Sequence, residues 1–429
     1  MKIVSLTLKN FRGYKEQTKI SFDDLTVFVG KNDIGKSTIL EALDIFFNDG
    51  KGTVKIDKDD LSRGANSEIF TIGVVFSDFP EKIVVDSSIE TTLEQEYLLN
   101  GDGLLEIHKA YKKGKIDSTV VIANHPSNDE VVAGLLQQKI KELKEIVDSK
   151  SIDCPDKRVA SILRKSIRDS YDSLILDVKP IPVDQEGLKT IWSQIEKYLP
   201  VYALFQSDRE NKDQDSEVQD PMKIAIQEIL KREDLQNKLN DVANEVKLIA
   251  KQIADSTLSK LNEMNPEIAN ELKAVMPPND SIKWDSVFKG IAIAGDDDIP
   301  MNKRGSGVRR LVLLNFFRAE AERRRNERNV PNVIYAVEEP ETSQHPTHQI
   351  KLVEALIELS SSENTQVILT THSPSLAQLI PSKNLRFIEK NKASIVFNEG
   401  DVGKIAKTLG VLPNYNAPKF SYNFSANHL

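Results

Sequence analysis

Near the N-terminus, Gly30-Lys31-Asn32-Asp33-Ile34-Gly35-Lys36-Ser37 fits the pattern G-x-x-x-x-G-K-S, with Thr38 directly after it. The residue types are those that phosphate chemistry needs. Glycines let the backbone wind close to an anion, so that its N–H groups and a helix N-terminus face phosphate oxygens. Lys36 would then reach the β- and γ-phosphates of ATP, and the Ser37 hydroxyl would ligate Mg²⁺. A chance match to the four fixed positions is expected in roughly one chain in a hundred or fewer. The context strengthens the match: the apolar run Leu25 to Val29 ends at Gly30, and a helix is predicted from about Lys36 to Phe47.

Three further segments belong with it. In Val333-Ile334-Tyr335-Ala336-Val337-Glu338-Glu339-Pro340, two carboxylates close an apolar run. Buried acids there need a cation or a proton to stabilise them. Mg²⁺ would supply the cation, with Glu338 in the metal shell and Glu339 as general base toward the attacking water. In Thr365-Gln366-Val367-Ile368-Leu369-Thr370-Thr371-His372-Ser373-Pro374, His372 ends another buried run, where it can donate to a γ-phosphate. Lys303-Arg304-Gly305-Ser306-Gly307-Val308-Arg309-Arg310 is a Gly-Ser-Gly turn opening a helix, by itself a weak anion-binding signal.

In this order, the four segments resemble ABC-type ATPases of the SMC and recombination-repair group. They look most like the OLD (overcoming lysogenization defect) family and related ATPases of prokaryotic anti-phage systems. Asn10-Phe11-Arg12-Gly13 is similar to that group's opening "NFR". Glu338-Glu339-Pro340-Glu341 with His345-Pro346 matches its "EEPE…HP", and Thr371-His372-Ser373-Pro374 its "THSP". The resemblance covers roughly residues 1–125 and 280–395.

It implies an α/β ABC-type head made of two lobes, with mixed and parallel sheet flanked by helices. Two heads would sandwich ATP in a homodimer or higher homo-oligomer. Gly305, Ser306 and Gly307 would clamp the γ-phosphate held by the opposite copy. Arg12 would lie near the nucleotide, and Thr342 to Pro346 at the dimer seam. OLD nucleases also carry a C-terminal TOPRIM domain, whose glutamate and acidic pairs hold metal. The roughly 50 residues after Ser375 lack that pattern. The chain is then similar to the ATPase subunit of PARIS- or Septu-type systems, which hold a separate TOPRIM or HNH nuclease or a toxin; a truncated Gabija-type module also fits. Gln206 and Asp78 are the two candidates for the residue that contacts Mg²⁺ through a Q-loop.

These residues need elements to position them. Alternation of apolar and polar residues predicts strands at Met1–Leu8 and within 68–122, with a turn at Gly101 and Gly103. From about 129 to 200 the spacing of Val131, Leu135, Leu136, Ile140, Leu143 and Ile146 is helical. An acidic loop at 207–220, a helical block at 221–274, a strand at 284–294 and a charged helix at 308–328 follow. The last hundred residues alternate strand and helix, as a parallel sheet does. The expected division is an N-terminal lobe at 1–125, a largely helical and oligomerising insertion at 126–280, and a C-terminal lobe at 281–429.

Composition narrows the alternatives. The hydrophobic content of 39% and charged content of 28% are those of a folded chain. No apolar run approaches the roughly 18 residues that a spanning helix needs, which argues against membrane association and transport and for the cytoplasm. One cysteine, Cys154, leaves no intramolecular disulfide. A net charge of −8 opposes uniform coating of nucleic acid. The cluster Arg318, Arg323, Arg324, Arg325 and Arg328 keeps local DNA contact open, although Glu320, Glu322 and Glu327 interleave it. Three functions stay in view: a defence ATPase that senses a phage trigger protein and controls an effector, a repair ATPase that binds DNA directly, and an ATP-binding scaffold with little hydrolysis.

Overall fold

The computed structural model describes residues 1–31, 33–79, 83–86, 89–183, 188–206, 230, 233–264, 332–342, 346–389 and 392–395, with a few helical positions between 315 and 326. Two compact units result, one formed by residues 1–207 with 317–429, the other by 208–316. In the second unit the described element is a long helix, Glu233–Met264. The predicted loop at 207–220, the strand at 284–294 and most of the helix at 308–328 lie outside the described residues.

The first unit holds two six-stranded sheets. One is antiparallel, built from β1 (Lys2–Lys9), β2 (Thr18–Ser21), β4 (Ile69–Ser77), β7 (Leu105–Lys112), β8 (Lys115–Pro126) and β9 (Leu176–Pro182), in the order β2-β1-β4-β7-β8-β9. A small hairpin, β5 (Ile83–Asp86) with β6 (Ile89–Thr91), stands apart. The other sheet joins β3 (Leu25–Val29), β10 (Val201–Phe205), β11 (Val333–Glu338), β12 (Thr365–Thr371), β13 (Leu385–Glu389) and β14 (Lys392–Ile395), in the order β10-β11-β12-β3-β13-β14. Its pairs are parallel except β13 with β14. Strands β3, β11 and β12 are buried along nearly their whole lengths, which explains their unbroken apolar runs.

Helix α1 (Lys36–Asn48) lies against both sheets. Ile39, Leu40, Ala42, Leu43, Ile45 and Phe46 are fully buried, so a broad apolar face of the helix is packed away from water. Phe47 stacks on Tyr202 of β10 at 5.3 Å, and Phe46 meets Phe76 of β4 at 6.2 Å. Polar anchors fix it as well. The Tyr202 hydroxyl donates to the Leu40 carbonyl at 2.7 Å. Lys109 of β7 donates to the Phe46 carbonyl at 2.8 Å and to Asp49 at 2.6 Å, placing a cation at the helix C-terminus. The helix that carries the P-loop is therefore tied to both sheets.

The predicted half-exposed strand at the N-terminus is covered on both faces, with Ser5 and Thr7 buried. It runs along the junction of the sheets: Gln366 of β12 accepts from the Ile3 N–H and donates to the Ile3 carbonyl. The region from 129 to 200 is helical only in part. α2 (Glu130–Ala133), α3 (Ile140–Ser149) and α4 (Ala160–Asp169) pack Val132, Leu143, Val147, Leu163 and Ile167 into a separate small core. β9 then adds an edge strand to the antiparallel sheet, and α5 (Lys189–Tyr198) leads into β10. Further described α-helices are α6 (Glu233–Met264), α7 (Pro346–Ser360) and α8 (Pro374–Ala377).

Candidate functional site

The P-loop joins β3 to α1 at the carboxyl end of the parallel strands, where α/β sheets place their ligands. Gly35 caps α1 in a left-handed conformation, φ 102°, that a side chain would strain. Among the described residues no side chain caps the helix N-terminus, so its first N–H groups keep their capacity for an anion. A Cβ on Gly30 would stand 3.0 Å from the Ile388 carbonyl oxygen, which explains the glycine there.

Lys36 is buried, and its ammonium donates to the carbonyls of Gly30 at 2.9 Å and Lys31 at 2.7 Å. Burial pulls its pKa below the ordinary lysine value, opposed by Glu339, Glu341, Glu338 and Asp33. A buried cation facing four carboxyl groups at an uncapped helix end suits a polyphosphate with a bound cation. The second observation of fit is Ser37, whose hydroxyl donates to Glu338 Oε1 across 301 positions of sequence. A hydroxyl and a carboxylate oxygen side by side are the hard donors that Mg²⁺ takes, usually together with substrate phosphates and waters.

Glu339 follows β11 with a positive φ of 40°, uncommon for a residue with a side chain. Its N–H donates to both the backbone and hydroxyl oxygens of Thr370, at 3.1 and 3.2 Å. That conformation turns its carboxyl group toward the P-loop: Oε1 lies 3.9 Å from Lys36 Nζ and 3.2 Å from His372 Nδ1. Lys36, Ser37, Glu338, Glu339 and His372 are thus brought together.

Arg12 sits elsewhere in the same neighbourhood. Its guanidinium is held by Asp60 at 2.8 Å and by Glu41, one turn along α1 from Ser37. Tyr14, from the same turn, donates its hydroxyl to the Gly35 carbonyl at 3.1 Å. Of the two Q-loop candidates, Gln206 donates to Glu41 at 3.0 Å. Asp78 belongs to a groove with Met1, Lys2 and Asn332, at the start of β11. That is a strand length, about 20 Å, from Glu338, so Asp78 is excluded as a magnesium contact. Gly30, Lys31, Asp33, Ile34, Gly35 and Thr38 are described in the loop and first helical turn, whereas Asn32 lies outside the described residues. So do Gly305, Ser306 and Gly307, the centre of the predicted dimer seam at 343–345, and Arg323, Arg324 and Arg328.

Sequence reasoning gave no role to Glu341, Thr371, Glu41 or Tyr14. Glu341 is 5% exposed and accepts from the Thr371 hydroxyl at 2.6 Å. An acid followed by a proline and a second acid was a visible signal for it; the contacts of Glu41 and Tyr14 had none.

The architecture and this loop define an α/β P-loop ATPase fold. A model of the AAA ATPase domain matches residues 1–377, and the chain belongs to that family. It is similar to "Endonuclease GajA" of Bacillus cereus (strain VD045), 25% identical over 431 aligned positions that cover 96% of this chain and 62% of GajA. A stretch covering 45% of the chain is 26% identical to 20% of the "DNA double-strand break repair Rad50 ATPase" of Archaeoglobus fulgidus. The chain thus spans about three fifths of the length of GajA and a fifth of Rad50. Among solved structures, an SMC head bound to the C-terminal winged-helix domain of ScpA superposes with a TM-score of 0.44 at 13% identity, covering 94% of this chain and all of that one. The SMC head domain from Thermotoga maritima gives 0.36 at 13% identity, covering 93% and 100%. Among the described residues, no helix is long and apolar enough to cross a membrane.

Proposed function

We propose that the chain binds ATP with Mg²⁺ and hydrolyses it, and that its nucleotide state governs an effector in defence against phage. The contact of Ser37 with Glu338 carries the first part, because it joins the P-loop to the acidic strand end. Mg²⁺ supplies charge neutralisation at the phosphates. Ser37 and Glu338 are its protein ligands in this reading. Lys36 exchanges its carbonyl partners for phosphate oxygens. Glu339 takes the proton of the attacking water, and His372, beside it, orients that water or the γ-phosphate. The loop Gly305–Gly307 completes the site from a second copy.

The defence and effector part rests on the motif resemblance to the OLD family, and the relatives suggest what to test it on. GajA is named an endonuclease and Rad50 a repair ATPase, so DNA is the substrate class to test first. In this reading the nuclease or toxin is a separate effector protein.

Phosphate release and Mg·ATP affinity of two variants test the chemistry. Glu339→Gln keeps shape but loses the proton acceptor, so turnover should fall by about two orders of magnitude with affinity nearly unchanged. Glu338→Gln should weaken magnesium-dependent binding as well. Parental turnover in Glu339→Gln would reverse the two roles, and a parent protein that releases no phosphate would leave an ATP-binding scaffold.

A further inference from the structure

Glu341 is a buried acid just beyond the proposed general base, and its hydrogen bonds connect two loops. Oε1 accepts from the Thr371 hydroxyl at 2.6 Å and from the His372 N–H at 3.3 Å. The Thr371 oxygen in turn accepts from the Ser373 N–H at 2.9 Å. On its own side, the Glu341 carbonyl accepts from Gln349 of α7 at 3.1 Å, and the turn closes with Thr342 N–H on the Glu339 carbonyl. One carboxyl group therefore links the turn that presents Glu339 to the loop that presents His372.

Its second oxygen, Oε2, is buried and has no hydrogen-bond partner among the described residues. An unmet buried oxygen lowers stability. The group is thus poorly explained as a fold-stabilising contact. What it does fix is the position of the His372 backbone, and with it the 3.2 Å approach of His372 Nδ1 to Glu339 Oε1. The ring itself is 3.6 Å from Glu341 Oε1, beyond hydrogen-bond reach, so the influence runs through the peptide.

We infer that Glu341 is a positioning residue for hydrolysis, holding His372 against Glu339 by accepting the Thr371 and His372 hydrogen bonds. The inference rests on the proposed roles of Glu339 and His372. It requires an acceptor at this position and no charge.

The test is a mutant cycle read by steady-state hydrolysis, nucleotide affinity and the imidazole nitrogen resonances of His372 in the nucleotide-free protein. Glu341→Leu, close in shape but without an acceptor, should lower kcat by about tenfold or more and leave ATP affinity within about twofold. It should also move the His372 Nδ1 resonance. Glu341→Gln, which keeps one acceptor oxygen, should recover most of the lost rate. Thr371→Val should give a smaller loss in the same direction. Because the effect passes through His372, Glu341→Leu should cost nothing further in a His372→Ala background. Losses that multiply instead, a Gln variant as slow as the Leu variant, or an unmoved His372 resonance would each overturn the inference. Parental hydrolysis by Glu339→Gln and His372→Ala would instead overturn the reading of the site, and the inference with it. If those two are slow while Glu341→Leu is parental, the inference alone fails.

Discussion

At the scale of single residues, the site carries an instability at Lys36 that a bound nucleotide would relieve in the proposed reading. Lys36 is buried with its pKa lowered, chiefly by burial, so its charged form is less favourable in the folded chain than in water. For a lysine lowered in this way, the penalty is full below the folded pKa and vanishes above the unfolded one. At neutral pH the penalty is therefore present. Lys36→Met should leave thermal stability unchanged or raise it, while nucleotide binding is lost. Thermal unfolding with and without Mg·ATP checks both halves. The parent should gain stability with ATP concentration by mass action, and the variant should show no gain. A retained ATP-dependent shift in the folded variant would remove Lys36 from the nucleotide site. Glu339 belongs beside it, since its positive φ is a strained conformation of the kind that clusters at functional sites.

At the scale of elements, what was legible was whatever the local pattern determines alone. The strands β3, β11 and β12 are continuous apolar runs because helices and sheet cover both faces, and the P-loop must fall between β3 and α1. β9 was not legible. Leu176–Pro182 contains Asp177, Lys179 and two prolines, and it forms a strand only because it lies at a sheet edge, where a missing N–H is tolerated. Nor were the contacts of Arg12, Glu41 and Glu341, which depend on chain closure over tens to hundreds of positions.

A second closure of this kind fixes α4. Glu96, 1% exposed, takes two hydrogen bonds from Arg164, at 2.8 and 3.0 Å, and one from Arg168 at 3.1 Å. Burial would raise its pKa, but the two arginines prevail and hold it below the ordinary value of 4.5. A lowered carboxyl group stabilises above its unfolded pKa and loses that contribution as pH falls through the folded one. Glu96→Gln strands two buried cations, so it should cost about 3–5 kcal/mol near neutral pH. Chemical denaturation of both proteins should show the gap narrowing only below the ordinary glutamate value. A gap that is already absent at neutral pH would mean that the cluster adds nothing to the fold.

At the scale of the whole molecule, one head supplies Lys36, Ser37, Glu338, Glu339 and His372, all within the first compact unit. Gly305, Ser306 and Gly307 lie outside the described residues, and in the proposed reading they act on the opposite copy's nucleotide. Action in trans makes a specific demand. Lys36→Ala destroys a copy's own P-loop but spares its signature loop. Ser306→Arg does the reverse, filling the turn with a long cation while leaving the P-loop intact. In the proposed reading, any homodimer of either variant would have two broken sites. In a mixture, a mixed dimer unites the intact P-loop of one copy with the intact loop of the other, so one sound site appears. Mixing the two inactive proteins should therefore restore part of the parental ATPase rate, about a quarter of it if sites act independently and copies pair at random. Sedimentation should show the parent shifting to a larger species with ATP, most completely for Glu339→Gln, which holds ATP without consuming it. A mixture that stays inactive, together with a parent that remains monomeric at every ATP concentration, would place the Gly-Ser-Gly turn outside the nucleotide site and leave a head that works alone.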